Sequence, residues 1–133
     1  MPLTVDERKA VTEYRMKKAG DALTEAIDCA KMGHWTLAAN RLYYATYYAS
    51  SALLISAGYQ AKTHEGTIRM LGQHFIRTNV LTKEDGIVIA RLQNMRHTGD
   101  YDDFFDWTQE DVEPFIKKVE LFIQKVNGLI PKE

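Results

Sequence analysis

The chain has 133 residues, 45% of them hydrophobic and 26% charged, with a formal net charge of -1. That length supports one domain with a real core, and the composition excludes a disordered chain. The balanced charge excludes a basic field that would draw nucleic acid over a whole surface.

Residues 1–133 read as a single helical domain. Charge is uneven along it: residues 1–80 carry ten Lys and Arg against seven Asp and Glu, and residues 81–133 carry seven against eleven. The opening MPLTVDERKA lacks the apolar stretch of a signal peptide, and no run approaches the ~20 apolar residues of a membrane span. The expected setting is therefore cytoplasmic, with no membrane partner. Cys29 is the single cysteine, so one chain can form neither a disulfide nor a cysteine metal site. Beside Ala26, Ile27 and Ala30 it reads as a small buried hydrophobe.

In chain order, Thr4 and Glu7 form a capping box for a first helix that runs to about Met32. Val11, Tyr14, Ala19, Ala22, Leu23, Ala26, Ile27 and Ala30 make its apolar face. Gly20 is a mild weakness, and Gly33 ends the helix. The second helix spans about Trp35 to Ser56. Its seam of Trp35, Ala38, Leu42, Ala45, Ala49 and Ala52 steps by threes and fours. Arg41, Tyr44, Tyr48, Ser51 and Ile55 form another face. A helix apolar on two sides is the centre of a bundle or part of a subunit interface.

Gly58 closes that helix, and Tyr59 to Glu65 is a connecting loop. Thr63 caps a third helix, predicted over His64 to Asn79, with Ile68, Leu71, Phe75 and Ile76 inward. Thr82 and Asp85 start a fourth, with Val88, Ile89, Leu92 and Met95 as its core face. It is expected to end near Thr98, with a turn at Gly99. DYDDFFDW then reads as a polar-aromatic loop. Thr108 and Asp111 cap a fifth helix that tolerates Pro114 near its start. Val112, Phe115, Ile116, Val119, Phe122, Ile123, Val126 and Ile130 give it a continuous apolar face. The fold expected is all-α: an antiparallel up-and-down four-helix bundle with one additional shorter helix.

The usual phosphate loops, a Glu-x-x-His di-iron signature and zinc spacing among His34, His64, His74 and His97 are absent from the sequence. No metal and no cofactor are expected. Asp100, Asp102, Asp103 and Asp106 read as a solvated acidic loop in preference to a cation site. RLQNMRHTGDY, Arg91 to Tyr101, concentrates groups able to handle a phosphate or a proton. Arg96 is a permanent bidentate phosphate donor, and His97 titrates near neutrality. Asp100 is placed to pair with Arg96 if the helix continues. An Arg–Asp pair capping a helix end, with Tyr101 packed beneath, explains the same residues. Lys62 and His64 form a second cluster at a helix start, where an anion is favoured or where a surface Lys and a capping His simply sit. Arg41 either stacks on Tyr44 or Tyr48 or lines the same pocket.

The ordered series ANRLYYATYYASSALL, KTHEG, HFIRTNVL and RLQNMRHTGDYDDF, within residues 36–126, closely resembles the HEPN domain family. It is most similar to small prokaryotic members with a Tyr-Tyr-Ala helix, a Lys-Thr-His loop and an Arg-x-x-x-Asp-Tyr element. The resemblance implies an up-and-down bundle that dimerises, and a nucleotidyltransferase-type protein partner. Many such domains are metal-independent ribonuclease toxins in which Arg, a polar residue and a later His act across a dimer. Arg96 and His97 match the first two positions, and the family's four-to-six spacing puts Tyr101, Asp102 or Asp103 where the His would stand. The resemblance thus implies an RNA- or nucleotide-binding accessory partner of a minimal nucleotidyltransferase, with Arg96, His97 and Tyr101 at its centre and Asp100, Lys62, His64, Arg41 and Tyr44 around it. One alternative is an active ribonuclease toxin using Arg96 with His97 or His64. Another is a purely structural dimerising module.

Overall fold

The computed structural model describes residues 3–102 and 106–132. Five α-helices follow one another: α1 (Val5–Lys31), α2 (Trp35–Ser56), α3 (His64–Leu71), α4 (Lys83–Tyr101) and α5 (Gln109–Leu129). Four are long and α3 is short, as the apolar periodicity predicts.

The helix starts follow their capping chemistry. Thr4 Oγ1 accepts from the Glu7 amide, and the Glu7 carboxylate accepts from the Thr4 amide. The same reciprocal box stands at Thr82 and Asp85. At α5 the Asp111 carboxylate accepts from both the amide and the hydroxyl of Thr108. Gly33 and Gly58 close α1 and α2 with φ of 79° and 90°, a region that favours glycine.

The core sits around α2, which packs against α1, α3, α4 and α5. Its predicted seam is fully buried at Ala38, Leu42, Ala45, Ala49 and Ala52. Val88, Ile89, Leu92 and Met95 of α4 meet it, as do Val112, Val119, Phe122 and Val126 of α5. This makes α2 the central helix. Small alanines on the α1 and α2 faces let those two backbones approach closely.

Three expectations need correction. The third helix does not run as α-helix to Asn79: α3 stops at Leu71 and widens into a π-helical turn over Gly72–Ile76, with the Arg77 amide bonded to the Gly72 carbonyl at 2.9 Å. Gly72 is a poor helix former, and the wider turn brings Phe75 and Ile76 against the core formed by Leu71, Leu81 and Ile89. Asn79 follows with φ of 65°.

The fourth helix does not turn at Gly99 but continues to Tyr101, and the Asp102 amide bonds to the Thr98 carbonyl. Glycine costs a helix only about 1 kcal/mol. Here its missing side chain allows a close approach, because a Cβ at Gly99 would lie 2.9 Å from Thr36 Cγ2. Asp100 and Tyr101 are therefore helical, while Asp103, Phe104 and Phe105 of the expected loop lie outside the described residues. Finally, Tyr14 is 57% exposed, and Thr12 takes the inward position beside it.

Candidate functional site

The last turn of α4 carries Arg96 toward α2. Arg96 Nη2 donates to Tyr44 Oη at 3.1 Å. Its Cζ lies 5.7, 5.5 and 5.9 Å from the ring centres of Tyr43, Tyr44 and Tyr101. The guanidinium thus occupies a recess walled by aromatic faces, a favourable setting for a cation. Arg96 Nε is 3.2 Å from Asp100 Oδ2, a pairing that requires the helix to continue past Gly99. That Nε is buried and is not aligned on any acceptor.

Asn40 of α2 ties this end of α4 down. Its Nδ2 donates to both Asp100 oxygens at 3.1 and 3.0 Å. Its Oδ1 accepts from Arg41 Nε and Nη2 at 3.0 and 2.8 Å. Arg41 Nη1 in turn donates to Glu25 at 3.3 Å, and Arg41 Cζ sits 4.9 Å from the Tyr44 ring centre. Two guanidinium groups therefore flank one tyrosine, linked through a polar chain that runs Glu25, Arg41, Asn40, Asp100, Arg96.

His64 closes the recess from α3. Thr63 caps that helix by accepting from the Gly66 amide, which fixes His64 as the first helical residue. The imidazole stacks on Tyr47 with ring centres 4.0 Å apart and planes 4° apart. It meets the edge of Tyr44 at 5.7 Å. Its Nδ1 lies 2.7 Å from Tyr43 Oη. Burial, reinforced by the Arg96 charge, lowers the His64 pKa from the usual histidine value, so the ring is neutral at pH 7. Burial pushes the Tyr43 phenol up to about 12 against the opposing pull of Arg96, so the hydroxyl keeps its proton. A phenol that donates to Nδ1 leaves the ring proton on Nε2.

Of the residues singled out from sequence, the fold gathers Arg96, Asp100, Tyr101, Arg41, Tyr44 and His64. His97 is exposed, and its ring approaches Tyr101 at 5.0 Å on the outer side. Lys62 is exposed and lines a different cavity, together with Arg15 and Tyr47. Asp106 is exposed and accepts from Thr36 Oγ1 at 3.3 Å. Cys29 is half-buried against the core, and burial pushes its thiol up, away from reactivity.

Sequence reasoning missed Asn40, Tyr43 and Glu25. Asn40 leaves one signal, a polar residue of modest helix propensity next to Arg41 in an alanine-rich helix. Tyr43 and Glu25 leave none that separates them from an ordinary core or surface position. Chemically, the recess offers a fixed cation for an anionic oxygen and a neutral imidazole able to pass a proton.

A family model described as the HEPN domain matches residues 12–129. A protein from Thermotoga maritima named "UPF0332 protein" is 32% identical over 126 residues, covering 95% of this chain and 96% of its own length. A protein from Methanocaldococcus jannaschii named "Putative toxin MJ0142" is 30% identical over 119 residues, 90% of this chain and 81% of its own. An Archaeoglobus fulgidus protein, also named "UPF0332 protein", is 27% identical over 121 residues, 90% of this chain and 95% of its own.

Proposed function

The chain belongs to the HEPN domain family, and on that premise we propose that it is a toxin-type module that binds RNA through a backbone phosphate at Arg96. One observation carries the reading: Arg96 is held in a tyrosine-walled recess by Tyr44 and Asp100, with Arg41 on the same Tyr44 ring. Guanidinium fixed in this way meets phosphate oxygens with little ordering left to do. The name of the Methanocaldococcus relative supports the toxin side of the reading.

In this role the protein acts in the cytoplasm, as a homodimer and as the accessory partner of a nucleotidyltransferase-type protein. Sedimentation at micromolar concentration is expected to give about twice the 15.2 kDa of one chain. Titration of labelled single-stranded RNA is expected to show at least tenfold weaker binding by Arg96→Ala, about 1.4 kcal/mol. Unchanged binding by that variant sinks the reading. RNA binding by neither protein leaves the structural dimerising module.

His64 favours a second reading, a metal-independent ribonuclease. Its neutral imidazole shares the Tyr43 and Tyr44 wall with Arg96. In such a reaction the 2′-hydroxyl attacks the adjacent phosphorus and loses its proton. The 5′-oxygen leaves with a proton, and Arg96 steadies the charge that builds on the phosphoryl oxygens. RNA cleavage in EDTA that is lost in both Arg96→Ala and His64→Gln, but kept in His97→Gln, establishes it. Binding without cleavage establishes the accessory role.

A further inference from the structure

A cavity of about 320 Å³ opens among α1, α2 and the connection before α3. Arg15, Tyr47, Ser51, Tyr59, Lys62 and Thr67 are among its lining residues, and among the described residues no Asp or Glu lines it. Arg15 Nη1 donates to the Ser51 hydroxyl at 3.1 Å. That contact holds the guanidinium in place without a countercharge, unlike the contacts of Arg41 with Glu25 and of Arg96 with Asp100. Two cations facing a cavity without a lining acid attract an anion.

The cavity adjoins the Arg96 recess. Tyr47, one of its walls, is the ring on which His64 stacks. His64 bonds to Tyr43, and Arg96 lies 5.7 Å from the centre of the Tyr43 ring. A short aromatic partition of Tyr47, His64 and Tyr43 therefore separates two cationic places. On another side of the cavity Tyr59 is backed by His74, with ring centres 3.9 Å apart and planes 12° apart. A backed aromatic ring is a preorganised platform for a base. The volume is at the lower end of ordinary ligand pockets, about 300–1,000 Å³, and suits one nucleotide unit better than a duplex.

We propose that this cavity is a second phosphate subsite, in which Arg15 and Lys62 hold a backbone phosphate of the single-stranded RNA whose other phosphate lies at Arg96. The inference rests on the reading of Arg96 given above. It adds a path for the strand, between α4 and α1 across the His64–Tyr47 partition, and it assigns Arg15, which no motif marks.

The full chain is titrated with a fluorescent octauridylate and, separately, with the dinucleotide UpU, which has a single phosphate. The Arg15→Gln/Lys62→Gln double variant is expected to bind the octamer at least tenfold more weakly. The slope of log affinity against log salt falls by about 0.7, because the subsite holds one phosphate of a single strand. UpU binding stays unchanged, whereas Arg96→Ala weakens both ligands. Lys62→Gln alone, on an exposed side chain, is expected to show part of the loss without touching the fold. Wild-type octamer affinity and salt slope in the double variant, with Arg96→Ala impaired, overturn the second subsite and leave the Arg96 reading intact. Failure of the wild type to bind either RNA overturns both. Displacement of the octamer by pyrophosphate at equal phosphate concentration means that the cavity takes a free anion, and overturns the strand.

Discussion

His64 joins two chemistries that pull in one direction. Its ring is partly buried, and a guanidinium stands on the far side of its tyrosine neighbours. Both effects penalise the imidazolium, so the folded chain releases that proton more readily than the unfolded chain does. The unfolded state then binds more protons between the lowered folded value and the ordinary value of 6.5. Stability from this group is fully present above pH 6.5 and is lost as pH falls through the folded value. Urea unfolding between pH 5 and 7.5 is expected to show His64→Gln losing less stability on acidification than the wild type. An identical pH dependence in the two proteins contradicts this placement of His64. From sequence, His64 was visible only as a histidine at a helix start. Its stacking on Tyr47 depends on how α3 sits over α2, and no local pattern encodes that.

At the scale of helices, two glycines with the same local role differ in their surroundings. Gly20 lies inside α1 with nothing within 4 Å of where a Cβ would stand. Gly20→Ala is expected to stabilise the protein by up to about 1 kcal/mol, read as a higher Tm. Gly99 lies inside α4, where a Cβ would come within 2.9 Å of Thr36 Cγ2 and 3.5 Å of the Trp107 ring. Thr36 is stiff, because it is β-branched and its Oγ1 accepts from the Trp107 amide at 2.8 Å. Gly99→Ala therefore forces α4 away from α2 at the turn that carries Asp100. It is expected to lower Tm and to weaken RNA binding, while Gly20→Ala leaves binding unchanged. A gain in Tm for both variants contradicts the close approach. The capping boxes at Thr4, Thr82 and Thr108 were legible in sequence because each is written within four residues. The end of α4 was not, because a glycine reads as a stop unless its neighbour across the interface is known.

For the molecule as a whole, α2 is the element every other helix uses. Leu42 is fully buried at its middle, among residues of α1, α4 and α5. Leu42→Ala is expected to cost about 2–5 kcal/mol, read as a lower urea midpoint, and a loss under 1 kcal/mol contradicts a central α2. The amino-acid sequence by itself determined the helix starts, most of each core face and the order of elements, because these follow from spacing, capping and burial within one segment. It also marked Arg96, Asp100 and Tyr101 by their crowding in one short stretch. Only the tertiary structure decided that Arg41 and His64 meet that stretch across a wall of tyrosines, that Asn40 ties it to α2, and that His97 and Lys62 face elsewhere. Those relations depend on the angle and closeness of packed helices. The alanine seam, the π-helical turn and the gap at Gly99 set these jointly, and no single segment sets them alone.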